Sequence, residues 1–239
     1  MENVTELAER IGTVRQKIAR AAANAGRSAD SITLVAVSKT MPADRVAAVA
    51  SFGIKDFGEN RVQEAESKIP EAAQVAGSNV AAGLRWHLIG HLQSNKARQA
   101  IRLFSVVESV DSVGLAKTLD RLARERGSLI DVLLEVNVGQ EETKFGFSAA
   151  DIMTTFPEIS LLENLRIRGL MTVAPPVLDP EAVRPYFRQL RLVRDQLVAR
   201  NPGSQLLELS MGMTSDYPVA IEEGATIVRV GRAIFGERL

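Results

Sequence analysis

The chain has 239 residues, of which 46% are hydrophobic and 24% are charged, enough apolar material for one large domain or two small ones. Its 29 basic and 29 acidic side chains cancel, so no basic excess is available to bind a nucleic-acid backbone. Cys is absent, which excludes disulfides and thiolate metal sites and fits a reducing compartment. No apolar run approaches the ~20 residues of a membrane helix, and the charged amphipathic start lacks the apolar core of a signal peptide, so we expect a cytoplasmic protein.

Short apolar runs then alternate with longer helical patterns. After the N-terminal amphipathic helix, the strand SITLVAVS (31–38) precedes a helix predicted over Pro42–Ser51. A weaker strand, IKDFG (54–58), precedes a helix beginning near Asn60. Further strands are predicted at 85–90, 104–110, 129–139, 165–173 and 206–212, and the last lies within ATIVRVGRAIFG.

Each of these strands except the last is predicted to be followed by a helix. The helix over SNKARQAIRL would be capped by Ser94 or Asn95, and the next would end at Gly127. A helix begins near Ala149, and an Arg-rich helix covers roughly 181–199. The longest stretch predicted as a loop is PEAAQVAGSNVAAG (70–83).

This alternation indicates an α/β fold. Nearly continuous apolar strands are typical of a parallel sheet that is covered on both faces. Eight βα units in this length favour a single (β/α)8 TIM-type barrel over residues 1–239, with one extra N-terminal helix. The first strand is not followed by a G-x-G-x-x-G fingerprint, which argues against a dinucleotide-binding fold.

Functional groups of such barrels collect where the strands end. The residues there are polar and varied, and we expect them to meet at one rim; they are Lys39, Glu59, Asn60, His87, Gly90, Gln93, Ser109, Asp111, Asn137, Met171, Thr172, Ser210, Arg229, Gly231 and Arg232. Lys39 follows the first strand, where partial loss of hydration would favour a neutral amine able to attack a carbonyl. Because Val35 and Val37 share its side of the strand, an inward direction is expected, although a solvated loop lysine is the common alternative.

The last two strand ends indicate a phosphate site. Gly231 and Arg232 leave the eighth strand, and LSMGMTS after the seventh supplies small donors such as Ser210 and Thr214. Loops after strands seven and eight are the usual phosphate site of these barrels, although glycines and serines also simply make turns.

Two other patterns in the sequence are weaker evidence of function. His87 and His91 are four residues apart, but with two His, no Cys and Gly90 between them, we expect no metal site. Arg184, Arg188, Arg191 and Arg194 lie at helical spacing and are predicted to form the solvated face of an outer helix.

Six motifs together carry a family resemblance. VAVSKT, FGENRVQE, WHLIGHLQSNK, IRGLMT, LSMGMTSDYPVAI and VRVGRAIFG resemble the YggS/PLPBP-like pyridoxal 5′-phosphate (PLP) homeostasis proteins, from about residue 30 to the C-terminus. The resemblance implies a barrel similar to the N-terminal domain of alanine racemase, of the fold-type III PLP proteins. It implies that Lys39 is the Schiff-base lysine, that Asn60 lines the cofactor and that Arg229 faces the pyridine nitrogen. It further implies a phosphate cradle of Ser210, Gly231 and Arg232, with Thr214 close by.

The resemblance and the chemistry together favour a carrier of PLP. Arginine keeps its proton, so Arg229 would leave the pyridine nitrogen unprotonated and weaken the ring as an electron sink. The racemases add a catalytic tyrosine from a second domain. The last strand lies close to Leu239, so we expect no such domain, and neither Tyr186 nor Tyr217 matches that tyrosine. We therefore expect no catalytic residue and a protein that regulates intracellular PLP and amino-acid homeostasis, with PLP-dependent apoenzymes as possible recipients and a monomeric state.

Three alternatives stay open at this point. One is a PLP enzyme acting on amino acids, for which Lys39-dependent racemisation or transamination would be the sign. Another is a barrel aldolase that uses Lys39 on a sugar phosphate, and the third is an interaction protein with a vestigial site.

Overall fold

The computed structural model describes residues 4–141 and 144–236, and in them eight parallel strands close into a barrel. Each strand pairs with the next in sequence, and β8 pairs with β1 in register Val35 to Arg229. The strands are β1 (Thr33–Val37), β2 (Asp56–Glu59), β3 (Arg85–Leu88), β4 (Val106–Val110), β5 (Ile130–Glu135), β6 (Leu165–Met171), β7 (Glu208–Ser210) and β8 (Ile227–Val230). The predicted TIM-type barrel is confirmed, including its weak second strand.

Ten α-helices are described, most of them around the barrel. They are α1 (Val4–Asn24), α2 (Ala43–Ser51), α3 (Val62–Ala76), α4 (Ser78–Ala81), α5 (Ala97–Leu103), α6 (Val113–Arg126), α7 (Ala149–Ile159), α8 (Arg184–Arg200), α9 (Tyr217–Glu222) and α10 (Arg232–Phe235). The predicted extra helix is α1, which packs on α9 and α10. Its buried face carries Leu7, Ile11, Val14 and Ile18 at spacings of three and four. No helix within the described ranges has the length and hydropathy to span a membrane.

Three local predictions were wrong. Residues 70–83 are mostly helical, because Ala and Glu residues around Pro70 carry α3 to Gly77, whose φ of 79° ends it. Neither Ser94 nor Asn95 caps a helix by its side chain, since Ser94–Lys96 is a 3₁₀ turn that leads directly into α5. The last strand is followed by a helix after all, the short α10.

The arginines of α8 lie partly in solvent as predicted, with Arg188 55% exposed, but they also form ion pairs. Arg184, Arg188 and Arg191 all pair with the carboxylate of Glu223, at distances of 3.2, 2.8 and 3.4 Å. The side chain of Glu223 is only 5% exposed, so this group of charges ties α8 to the end of α9. Arg194 instead pairs with its neighbour Asp195.

The barrel interior combines a small apolar cluster with buried charges. Val35, Leu133, Met171 and Ile227 pack together inside the strands, while the larger core lies between strands and helices. Glu108, His87 and Arg229 are also buried. Charged side chains are rarely buried unless they are paired, so each of these three residues needs a partner of opposite charge.

Candidate functional site

A cavity of about 570 Å³ opens where the strands end. Six of the seven residues predicted for the cofactor line it together: Lys39, Asn60, Thr214, Arg229, Gly231 and Arg232. They come from the ends of β1, β2, β7 and β8, as the rule for parallel barrels requires. The cavity is therefore the place to which the sequence pattern pointed.

Lys39 enters the cavity from the end of β1. It is half-buried, and Val37 two residues earlier lines the same cavity, so the expected inward direction is confirmed. Asn60 faces it from β2, and the backbone of Asn60 lies against Gly90. A Cβ at position 90 would come within 2.4 Å of the Asn60 carbonyl oxygen, so only glycine allows this approach.

The opposite wall is built from β7 and β8. Gly231 and Arg232 begin α10, and a Cβ at position 231 would lie 3.3 Å from the Val37 carbonyl oxygen. Thr214 lies in the loop after β7, which is held because the Met213 N–H donates to Asp216 Oδ1 at 2.6 Å. This wall presents a guanidinium, a hydroxyl and turn backbone, which are groups that suit a phosphate.

Arg229 forms the floor of the cavity. It is 3% exposed, donates from Nη1 to Ser210 Oγ at 2.6 Å and donates from Nη2 to the Thr172 carbonyl oxygen at 2.7 Å. Glu108 Oε2 lies 3.7 Å from Nη1. Burial lowers the pKa of Arg229, and the carboxylates of Glu108, Glu135 and Asp216 oppose that shift.

Ser210 is the one predicted residue that the structure places outside the cavity lining. It is fully buried, and its Oγ donates to Glu108 Oε2 at 2.6 Å while accepting from Arg229. A hydroxyl with both partners inside the barrel has little capacity left for a phosphate. Its observed contacts hold the Arg229 guanidinium, and its place in a phosphate cradle stays a prediction.

A chain of buried charges continues from Arg229 down the barrel axis. Glu108 Oε1 lies 2.7 Å from His87 Nδ1, and His87 Nε2 lies 3.0 Å from Asp56 Oδ1. Burial opposes the charge on His87, but Asp56 and Glu108 outweigh it and raise the pKa of His87 to about 9. Burial would raise the pKa of Glu108, but His87, Arg229 and Ser210 together lower it. His87 is thus a cation paired on both sides, and it lies inside the barrel, away from the rim where the sequence placed it.

Glu135 ends β5 near the same chain. Burial and the charge of Asp111 raise its pKa to about 7, and the attraction of Arg229 and Lys144 does not offset them. It therefore titrates near neutrality, next to the barrel mouth.

Glu108 was missed by the sequence analysis, although its partners His87, Ser210 and Arg229 were all placed at strand ends. The available signal was a carboxylate inside the apolar run FSVVESV, where a solvent-facing charge is not expected.

Gln93 and His91 line a second, separate cavity of about 480 Å³ that shares only Asn60 with the first. Among the described residues no cluster of three or more His, Asp or Glu side chains could hold a metal ion.

The donors around the main cavity define what it can bind. An amine, a buried guanidinium, a second guanidinium and a hydroxyl together suit a small anionic ligand that carries a carbonyl group. A volume of about 570 Å³ is within the usual range for small-ligand sites.

Comparison with known proteins gives consistent matches. The family described as "Alanine racemase, N-terminal domain" matches residues 11–239. The pyridoxal phosphate homeostasis protein of Aquifex aeolicus is 41% identical over 230 residues, covering 96% of this chain and 97% of that protein. That of Escherichia coli is 37% identical over 239 residues, covering 98% of each chain. The structure of PipY from Synechococcus elongatus with PLP bound superposes with a TM-score of 0.83 at 39% identity, covering 96% of this chain and 100% of that one.

Proposed function

The chain belongs to the pyridoxal phosphate homeostasis proteins, within the alanine racemase N-terminal domain family, and from that premise we propose that it binds and buffers PLP through Lys39 without catalytic turnover. The observation that carries this proposal is that Lys39, Arg229 and Arg232 line one and the same cavity. The PLP-bound state of PipY, a relative that matches nearly the whole chain, supports the same ligand here.

The residues present fit PLP. PLP would supply an aldehyde carbon, whose condensation with a neutral primary amine forms a C=N bond and releases the aldehyde oxygen as water with the two amine hydrogens. Lys39 would be that amine, and Asn60 would line the ring. Arg232, Thr214 and the backbone at Gly231 would hold the phosphate, with Ser210 contributing through its hold on Arg229.

Arg229 sets the electronic character of the site. Its guanidinium donates to Ser210 and Thr172 and has no lone pair to accept a proton from the ring. A pyridine nitrogen facing it stays unprotonated, which weakens stabilisation of negative charge on a bound amino acid. Glu108 neutralises the buried guanidinium without offering a base to the cavity.

The positions of the two tyrosines also support carriage over turnover. Tyr217 is buried at the start of α9, and Tyr186 lies on α8. Neither is among the described residues that line the main cavity, so neither is in place to exchange a proton with a bound amino acid. We further propose that residues 1–239 act as one monomeric PLP-binding domain in the cytoplasm that passes PLP to apoenzymes.

A loading and transfer experiment tests the proposal. The protein is loaded with PLP, freed of excess ligand and incubated in turn with L-alanine, D-alanine and a PLP-requiring apoenzyme. We expect about one PLP per chain, recovery of apoenzyme activity and no racemisation or transamination above a Lys39→Ala control. Turnover that requires Lys39 would instead identify an amino-acid enzyme, and absence of PLP uptake would exclude both.

A further inference from the structure

Both peptide groups flanking Lys39 are held by side chains of α3. Lys68 Nζ donates to the carbonyl oxygen of Ser38 at 2.8 Å. On the other side of Lys39, the N–H of Thr40 donates to Glu64 Oε1 at 2.5 Å. The two holding residues are one helical turn apart and form an ion pair, so they act on the loop as one unit.

A third residue ties this pair to the neighbouring strand. Glu59 Oε1 accepts from Lys68 Nζ at 2.8 Å and from Ser38 Oγ at 2.7 Å. Glu59 ends β2 and directly precedes Asn60, which lines the cavity. The three residues Glu59, Glu64 and Lys68, here named the lysine clamp, thus join the Lys39 loop to the Asn60 turn.

The clamp is built for rigidity. The side chains of Lys68 and Glu59 are 7% and 0% exposed, and that of Glu64 is 26% exposed. Charge-assisted hydrogen bonds in such surroundings are strong and little screened by solvent. Burial raises the pKa of Glu59 despite Lys68 and Ser38, whereas Lys68 and the Thr40 N–H outweigh burial and lower the pKa of Glu64. Lys68 Nζ thus lies between two carboxyl groups, at 2.8 Å from Glu59 and 2.5 Å from Glu64, and Glu64 is the one that also holds Thr40.

The backbone after Lys39 needs such a hold. Thr40 has φ of 66°, a left-handed conformation that β-branched residues rarely adopt. Residues stay in such conformations only where their surroundings impose them, and they concentrate at functional sites. The bond from the Thr40 N–H to Glu64 is a contact that fixes this turn.

We propose that Glu59, Glu64 and Lys68 are positioning residues that fix the backbone on both sides of Lys39 and so direct its amine to the carbonyl carbon of a bound ligand. The inference rests on the proposed PLP function and deepens it. A displacement of about 1 Å at a reacting group is enough to lower its reactivity strongly. The clamp bonds described above reach the end of β1, whereas the phosphate wall is contributed by β7 and β8.

A comparison of two ligands distinguishes a positioning role of the clamp from a general effect on folding. PLP can form a bond with Lys39, whereas pyridoxine 5′-phosphate has the same ring and phosphate but a hydroxymethyl group in place of the aldehyde. We expect Glu64→Ala to weaken PLP binding about tenfold and to leave the pyridoxine 5′-phosphate dissociation constant unchanged. The same substitution in a Lys39→Ala background should change neither constant. Glu66→Ala on the exposed face of α3 is the matched control and should behave as wild type.

Several other results would overturn the inference. Equal weakening of both ligands, or a loss that persists without Lys39, would make the clamp a purely structural feature, and unchanged PLP binding would also overturn the inference. If Glu64→Ala shows no cooperative unfolding transition and so is not folded, Glu64→Gln replaces it. Gln keeps an oxygen for the Thr40 N–H, so this variant should weaken binding of PLP about threefold and leave binding of pyridoxine 5′-phosphate unchanged. Wild-type protein that binds both ligands equally and forms no Lys39 adduct would instead refute the proposed function, and the inference with it.

Discussion

Lys68 Nζ lies 2.8 Å from the carbonyl oxygen of Ser38, so a buried ammonium on α3 holds the residue directly before Lys39. In this barrel the end of β1 places Lys39 at the cavity, and side chains of α3 hold the peptide groups on both sides of Lys39. Precision in a binding site commonly depends on such supporting contacts. The following predictions test the supports of the site separately.

Arg229 and Arg232 both face the cavity but should differ in their effect on stability. Arg229→Met removes one of the two cations beside the buried Glu108 carboxylate and leaves only His87, which we expect to cost about 3 kcal/mol of unfolding free energy. Arg232 is exposed, so Arg232→Met should change stability by no more than about 0.5 kcal/mol. Both should weaken PLP binding in titrations, and chemical denaturation gives the stability. Equal stability of the two variants would contradict the buried pairing of Arg229.

His87 should make the protein sensitive to alkaline pH. Its pKa is about 9 in the fold against an ordinary 6.5, so its stabilising effect is complete below about pH 6.5 and is lost as pH rises through 9. We expect His87→Gln to lower the unfolding free energy by about 3 kcal/mol at pH 6 and by little at pH 10. Denaturant unfolding of both proteins across this range measures the difference. A constant difference at every pH would show that His87 is not charged in the fold.

Glu135 should show the opposite dependence. Its pKa is about 7 against an ordinary 4.5, so the cost of ionising it in the fold grows as pH rises from 4.5 to 7 and is complete above pH 7, while well below pH 4.5 the group is protonated in both states. Glu135→Gln should therefore stabilise the protein at pH 8 by about 2 kcal/mol and hardly at all near pH 4.5. Glu125→Gln serves as the control, because Arg98 and Arg121 lower the pKa of Glu125 and its replacement should not stabilise. A stabilisation from Glu135→Gln that does not vary with pH would disprove the raised pKa.

Gly212 should be required for the loop that carries Thr214. Its φ is 92°, and a Cβ there would lie 2.5 Å from Ala220 Cβ and 2.9 Å from Tyr217 Cα. Gly212→Ala should cost about 2 kcal/mol of stability and weaken PLP binding, because α9 or the loop must move. Gly114→Ala on α6 meets no atom within 4 Å and should stabilise by about 0.5 kcal/mol. Thermal unfolding of the two variants checks the contrast, and similar melting temperatures would refute it.

The barrel and the position of Lys39 could be predicted because they depend on local patterns. Apolar runs at regular spacing are enough to specify parallel strands, and strand ends must meet at one rim. The weak strand β2 also formed, since Phe57 is fully buried and its backbone pairs with β1 and β3.

The supports of the site could not be predicted in the same way, because each joins residues far apart in the chain. Glu64 and Lys68 have the spacing of an ordinary exposed ion pair on a helix surface. Only the packing of α3 on β2 and its bonds to the loop after β1 bury Lys68 and partly bury Glu64. Ser210 was correctly placed at a strand end, but the direction of its hydroxyl depends on Arg229 and Glu108, which are 19 and 102 residues away. The helical character of residues 70–83 was missed because Pro70 and Gly77 are read as breakers, although the helix accommodates the first and ends at the second.

The central claim is that Lys39 is the amine that holds PLP, and borohydride reduction followed by peptide mapping tests it most directly. The protein is incubated with PLP, reduced and digested, and the modified peptide is identified by mass spectrometry. We predict one phosphopyridoxyl group per chain, located on Lys39, and loss of the yellow absorbance in Lys39→Ala. A modified lysine elsewhere with Lys39 intact, or a colourless protein that remains unmodified, would contradict the account.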